Sequence, residues 1–192
     1  MKTYAAAEVS LKHVNFLLAD GSDGARKVLR SILNRFGAHS VKQARSIREA
    51  MSYLDSGKID IMICDLMLED GSGAEMVRDL RYNRRHPARH IPILMTCGHL
   101  TANDVMKCRD SGVNIILTKP ISVSVLYDRL CFVAHHGRPF VEHENYCGPC
   151  RRFKAEGGPK DIERRTDLTK LAAAPPGDAG SNDDKSQAEA TA

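Results

Sequence analysis

Residues 59–73 read IDIMICDLMLEDGSG, and the first half of that stretch leaves few folds open. Ile59, Ile61, Met62, Ile63 and Cys64 make a run that is apolar on both faces of a strand. Such a strand has to be covered above and below, as happens inside a parallel sheet held between helical layers. The run stops at Asp65, and a turn-rich loop begins at once. An aspartate at a strand end ordinarily starts a turn or caps a helix. In an open parallel sheet, however, the carboxyl rim is where ligands bind, so Asp65 also stands where chemistry is done.

The same alternation runs along the rest of the chain. Residues 14–19 are apolar and strand-like and end at Asp20; Gly21, Ser22, Asp23 and Gly24 form a loop, with Ser22 or Asp23 as the N-cap of the first helix. Ala25, Val28, Leu29, Ile32, Leu33 and Phe36 recur at helical spacing, and Gly37 closes that helix. A weak strand at 39–42 and a helix at 46–55 precede the Asp65 strand. After it come a helix over 73–84, a strand over 91–96 with Pro92 at its start, and a helix over 101–111 stopped by Gly112. A strand over 114–118 and a helix over 122–135 complete the series. Strands that are each succeeded by a helix require crossover connections, and these are right-handed. The pattern therefore predicts an α/β fold with a doubly wound, five-stranded parallel sheet. Strand order cannot be read from periodicity.

Three charged residues fall at the carboxyl ends of predicted strands: Asp20 after the first, Asp65 after the third, and Lys119, with Pro120 next to it, after the fifth. Together with Gly73 at the start of the third helix, they resemble the receiver domain of two-component response regulators in its stand-alone form, which has a flavodoxin-like sheet. The resemblance covers residues 12–136. It implies that Asp65 accepts a phosphoryl group from a histidine kinase or a histidine phosphotransfer protein. It also implies that Lys119 pairs with Asp65 beforehand and with the phosphoryl oxygens afterwards. Mg²⁺ would be held by Asp20, Asp65 and the backbone carbonyl of Met67. Phosphoryl transfer to a carboxylate needs a positioned nucleophile, a divalent cation on the equatorial oxygens and a further positive charge on the phosphate. All-oxygen ligands with retained waters are what Mg²⁺ prefers.

The chain departs from that family at several positions. Receivers carry two adjacent acids after the first strand, whereas here the pair is Asp20-Gly21, so Mg²⁺ binding is expected to be weak; Asp23 is the nearest substitute. The hydroxyl that senses the phosphoryl group falls on Cys97 when counted from Pro92, with Thr96 one residue earlier. A one-residue shift turns a side chain to the other face, so Thr96 is expected to serve only if the strand slips or bulges. The aromatic switch position of the last strand falls on Ile116. Two functions are consistent with these residues: a single-domain response regulator phosphorylated on Asp65, or a pseudo-receiver that binds proteins without phosphorylation. Neither the kinase nor the protein target is written in the chain.

Composition bears on what surrounds this domain. With 192 residues and 42% hydrophobic content there is enough for one core and an appendage. The longest apolar runs are too short to span a bilayer, and Glu8 interrupts the N-terminus before any signal-peptide core, so a cytoplasmic protein is expected. Arg78, Arg81, Arg84, Arg85 and Arg89 face only Asp79 in charge, which reads as a solvated helix end and basic loop. Cys64, Cys97, Cys108 and Cys131 lie in apolar segments and read as core thiols. Residues 137–192 read as a largely disordered, low-complexity tail, dispensable for the fold and without room for a DNA-binding domain. Cys147 and Cys150 within it form a C-x-x-C. That motif has three readings: tail cysteines, a thiol redox pair, or half of a zinc site completed by His143 with His135 or His136.

Overall fold

A computed structural model describes residues 10–98, 101–135 and 138–152. Its elements run β1 (Asn15–Ala19), α1 (Asp23–Arg35), β2 (Ser40–Ala44), α2 (Ile47–Asp55), β3 (Ile61–Asp65), β4 (Met67–Leu68), β5 (Gly71–Ser72) and α3 (Gly73–Tyr82). They continue with β6 (Ile93–Cys97), α4 (Ala102–Asp110), β7 (Ile115–Thr118), α5 (Val123–His135), β8 (Phe140–His143) and β9 (Tyr146–Pro149). Five strands form a parallel sheet in the order β2-β1-β3-β6-β7. The chain leaves β1 for β2 on one side and returns to β3 on the other, so the topological switch lies between β1 and β3.

The double-sided apolar strands do what their sequence requires. Leu17, Ala19, Met62, Cys64, Ile93 and Met95 face a layer made by Ala50 and Leu54 of α2, Val77 and Leu80 of α3, and Cys108 of α4. The alternate residues Phe16, Leu18, Ile61, Ile63, Leu94 and Leu117 face Leu29 and Leu33 of α1 and Leu126 and Leu130 of α5. Each helix with a capping hydroxyl starts one residue after it: Ser22, Ser46, Ser72 and Thr101 accept from backbone N–H groups of α1, α2, α3 and α4.

Gly73 is needed for closeness rather than for an unusual φ: a Cβ there would lie 2.2 Å from the Asp65 carbonyl oxygen. The backbone of the β3–α3 connection thus presses on the peptide of Asp65 itself. The two-residue ribbon β4–β5 shapes that connection, which periodicity could not show because it is too short to have a period.

The expected tail begins too early. Residues 140–149 form the antiparallel hairpin β8–β9, and it packs on the C-terminal ends of α3 and α4. Gly148 lies against Gly112, where a Cβ on Gly112 would come 2.4 Å from the Cys147 carbonyl oxygen. The basic stretch is likewise not all solvated, since Arg81 and Arg89 are buried. Arg81 donates from Nε to Gly112 O (3.1 Å) and from its other nitrogens to the Arg89 and Ile91 carbonyls and to Asn114 Oδ1. A guanidinium suits this place because its planar donors match several fixed carbonyls at once. Phe140 lies 5.5 and 5.6 Å from the Arg81 and Arg89 guanidinium carbons, and Glu142 pairs with Arg89 at 2.9 Å. The remaining tail expectation, over residues 153–192, lies outside the described residues.

Candidate functional site

Asp20, Asp65 and Lys119 meet at the carboxyl rim beside the switch between β1 and β3. Asp20 comes directly after β1, whose pairing with β2 continues through Asp20 N donating to Ala44 O (3.0 Å). Asp65 ends β3, and Leu66 N donates to Thr96 O (2.8 Å), carrying the β3–β6 pairing one step further. Lys119 comes directly after β7 at the sheet edge, where its N–H donates to Cys97 O (2.7 Å) and its peptide bond to Pro120 is cis. From there its side chain reaches back across β6. Lys119 Nζ lies 2.7 Å from Asp20 Oδ2 and 3.0 Å from Asp65 Oδ2.

The electrostatics are set by partial burial. Asp20 is 2% exposed, and its Oδ1 accepts from Ser22 N at 2.8 Å. Burial pushes the Asp65 carboxyl above its ordinary value, with the Asp20 charge adding to the rise; Lys119 and the Leu66 N–H pull against it without cancelling it. Burial works against the charge on Lys119 as well, but hydrogen bonds to Asp20 and Asp65 outweigh it and hold the ammonium above its usual value. A carboxylate kept basic beside a fixed cation is a nucleophile with a ready partner for an incoming anion.

Thr96 and Cys97 exchange the places expected of them. Asp65 and Thr96 are register partners in β3 and β6, and partners in a parallel pair share a face. Thr96 Oγ1 therefore approaches Asp65 Oδ1 at 3.5 Å with no slip or bulge, and also lies 3.4 Å from Cys64 O. Cys97 points to the opposite layer, where its thiol donates to Leu117 O at 3.4 Å and burial pushes it up to about 12. Counting from Pro92 gave the right strand and the wrong face. Ile116, at the aromatic switch position, is half-buried against the layer that holds α4.

Asp23 does not join the cluster. It opens α1 and pairs with Lys27 (2.7 Å) and Arg26 (3.2 Å), which lower its pKa. Arg26 also donates to the Asp20 carbonyl, a contact with no sequence signal because it lies six residues on in a helix that looks merely amphipathic. Gly21 leaves room over the site: a Cβ there would meet Glu69 Cγ and N at 3.7 Å, ordinary contact distance. Met67 lies in the loop beyond Asp65 with an exposed side chain, so only its backbone is available to the site. Two carboxylates converging on one ammonium form a hard-oxygen donor set that fits a hard divalent cation. Among the described residues, no three side chains of His, Cys, Asp or Glu stand in metal-binding geometry.

Cys147 and Cys150 have separate surroundings. Cys147 is buried, donates to Arg81 O (2.9 Å) and accepts from Arg89 at 3.0 Å, while Cys150 is half-buried, and both are free thiols. Cys147 thus holds the hairpin to α3. His136, one of the zinc ligands considered with them, lies outside the described residues.

The family model described as the response regulator receiver domain matches residues 16–131. The chemotaxis protein CheY of Pseudomonas aeruginosa is 23% identical over 117 residues, covering 61% of this chain and 93% of the relative. The aerobic respiration control sensor protein ArcB of Escherichia coli is 30% identical over 122 residues, 62% of this chain but only 15% of the sensor. Among solved structures, a two-component response regulator from Clostridium difficile superposes with a TM-score of 0.58 at 22% identity, covering 64% of this chain and 97% of that one.

Proposed function

The chain belongs to the response regulator receiver domain family, whose members are signalling phosphoacceptors, and on that premise we propose that Asp65 accepts a phosphoryl group from a histidine kinase or histidine phosphotransfer protein. The observation that carries this reading is Lys119 Nζ held between Asp20 and Asp65 at 2.7 and 3.0 Å. A lysine reaching across a strand to two carboxylates pre-positions a cation where phosphate charge will arrive. In the transfer an Asp65 oxygen forms a bond to phosphorus while the phosphorus–nitrogen bond of the donor phosphohistidine breaks, its electron pair returning to the imidazole. Lys119 then gives up Asp65 for a phosphoryl oxygen and keeps Asp20. Thr96 Oγ1, already 3.5 Å from Asp65 Oδ1, donates to another phosphoryl oxygen. Receiver domains bind Mg²⁺ at this site; here Asp20, Asp65 and the Met67 carbonyl would hold it, and when bound it neutralises the equatorial oxygens.

The second reading is a pseudo-receiver that binds proteins without phosphorylation. It is favoured by Gly21 in place of an acid and by Asp23 being tied to α1. Incubation with acetyl phosphate and Mg²⁺ and then intact mass measurement separates the two. Wild type is expected to gain one phosphoryl mass and Asp65→Asn none; equal labelling of both, or of neither, removes Asp65 as the acceptor. No described helix is long and apolar enough to cross a membrane. Among the described residues there is no DNA-binding domain.

A further inference from the structure

The acid missing at position 21 has a neighbour able to replace it. A Cβ on Gly21 would lie 3.7 Å from Glu69 Cγ, so the Glu69 stem borders the space that a carboxylate on residue 21 would use. Glu69 is in the same β3–α3 connection as Met67, four residues beyond Asp65, and its backbone is anchored by Glu69 N donating to Arg45 O (3.2 Å). The other acids of the surrounding loops are committed elsewhere. Asp23 pairs with Lys27 and Arg26, and Asp70 accepts from Ile47 N (2.6 Å) and Arg48 N (3.2 Å) at the start of α2.

Glu69 is held only loosely. Its Oε2 lies 3.5 Å from Arg45 Nε, while Glu49 approaches the same Nε at 3.2 Å and also accepts from Arg45 N at 3.0 Å. Arg45 therefore keeps a carboxylate partner if Glu69 leaves. The Glu69 side chain is 49% exposed, and an exposed pair of this length contributes little to stability.

We propose that Glu69 turns from Arg45 and supplies the carboxylate that Gly21 lacks, joining Asp20 and Asp65 around the divalent cation. The proposal rests on the phosphoacceptor reading of this site and names its third acidic ligand. Three carboxylates against Lys119 leave an excess of negative charge that a divalent cation balances, and ligand charge sets affinity at such sites. Arg45 then acts as a competitor for Glu69, and metal binding is coupled to the residue that follows β2.

Binding of Mn²⁺ to the full chain, read by the electron paramagnetic resonance of the free ion and displaced with Mg²⁺, tests this without any turnover. Glu69→Gln is expected to weaken binding at least about tenfold, whereas Glu49→Gln, which removes the same charge from the same arginine, leaves it within about twofold. Arg45→Ala is expected to tighten binding in wild type and to have no effect beside Glu69→Gln, a coupling that bulk charge does not produce. Gly21→Asp should restore binding to Glu69→Gln. Equal effects of Glu69→Gln and Glu49→Gln overturn the proposal and leave the metal reading standing. A wild type that binds no Mn²⁺ while Gly21→Asp does overturns it too, and absence of binding in both removes the metal reading itself.

Discussion

Burial holds the Asp65 carboxyl above its ordinary value even with Lys119 at 3.0 Å, and the direction of that shift has a measurable consequence. A carboxylate whose folded pKa is raised favours the native state at low pH, and that contribution is lost as pH rises through the folded value. At neutral pH the Asp65 charge is therefore a load on the fold. Asp65→Asn is expected to melt higher than wild type at pH 7, because Lys119 keeps Asp20 at 2.7 Å. Thermal melts at stepped pH should show the gap closing as the wild-type carboxylate takes up its proton. A variant less stable than wild type at pH 7 would mean that Lys119 outweighs burial. Lys119 is the opposite case: its raised pKa stabilises the fold at every pH below its titration and is lost only in alkali. Lys119→Met leaves Asp20, 2% exposed, facing Asp65 without a cation. Breaking a buried pair in this way costs about 3–5 kcal/mol, and the partial exposure of Lys119 puts the expected loss at about 3 kcal/mol. Denaturant unfolding measures it, and adding Asp65→Asn should return part.

Register decides matters at the scale of the strand. Thr96 and Cys97 are both buried and adjacent, yet the pairing of Asp65 with Thr96 sends the hydroxyl to the Asp65 carboxylate and the thiol to the α4 layer. Thr96→Val should slow acetyl-phosphate labelling and alter the lifetime of the phosphoryl group by about 2–10-fold, the worth of one hydrogen bond. Cys97→Ala should change neither. Stopped-flow or mass-resolved time courses decide between them, and a larger effect at Cys97 would return the sensing role to the thiol. The strand assignments themselves were legible, because β1, β3 and β6 carry apolar residues on both faces. Boundaries moved by one or two residues where hydrogen bonding overrode pattern. Helix α3 ends at Tyr82 rather than Arg84 because Asn83 takes an extended conformation, with ψ of 92°.

At the scale of the molecule, the hairpin β8–β9 makes the folded body longer than its receiver core. It contributes buried Cys147, the Phe140 ring beside two arginines and Glu142 on Arg89, and the turn after it places Arg151 on Asp110 at 2.9 Å. A chain ending at Arg138 loses all of these contacts. Burial of one such side chain is worth about 1.5–3 kcal/mol, and for a chain of this size that lowers the melting point by about 5–10 °C. A chain ending at Arg152 keeps them and should melt with full length, as differential scanning calorimetry would show; equal melting of the two truncations would mean that the hairpin adds nothing. Composition suggested a dispensable tail here because a hairpin of mixed polarity has no apolar face of its own. Its stability comes from α3 and the turn after α4, through Gly112 against Gly148 and through the Arg81 carbonyl, which accepts from both the Cys147 thiol and Arg89 Nε. The sequence by itself determined the alternation of strands and helices, the double-sided apolar strands, and the placing of Asp20, Asp65 and Lys119 at strand ends. These are local properties with periods of two or 3.6 residues, or single residues at the end of a run. Only the tertiary structure decided the sheet order, the reach of Lys119 across β6, the face taken by Thr96, the docking of Cys147 between Arg81 and Arg89, and the placing of Glu69 beside Gly21. Each joins residues far apart in the chain through packing and register, and no local pattern of residues encodes a distance between elements.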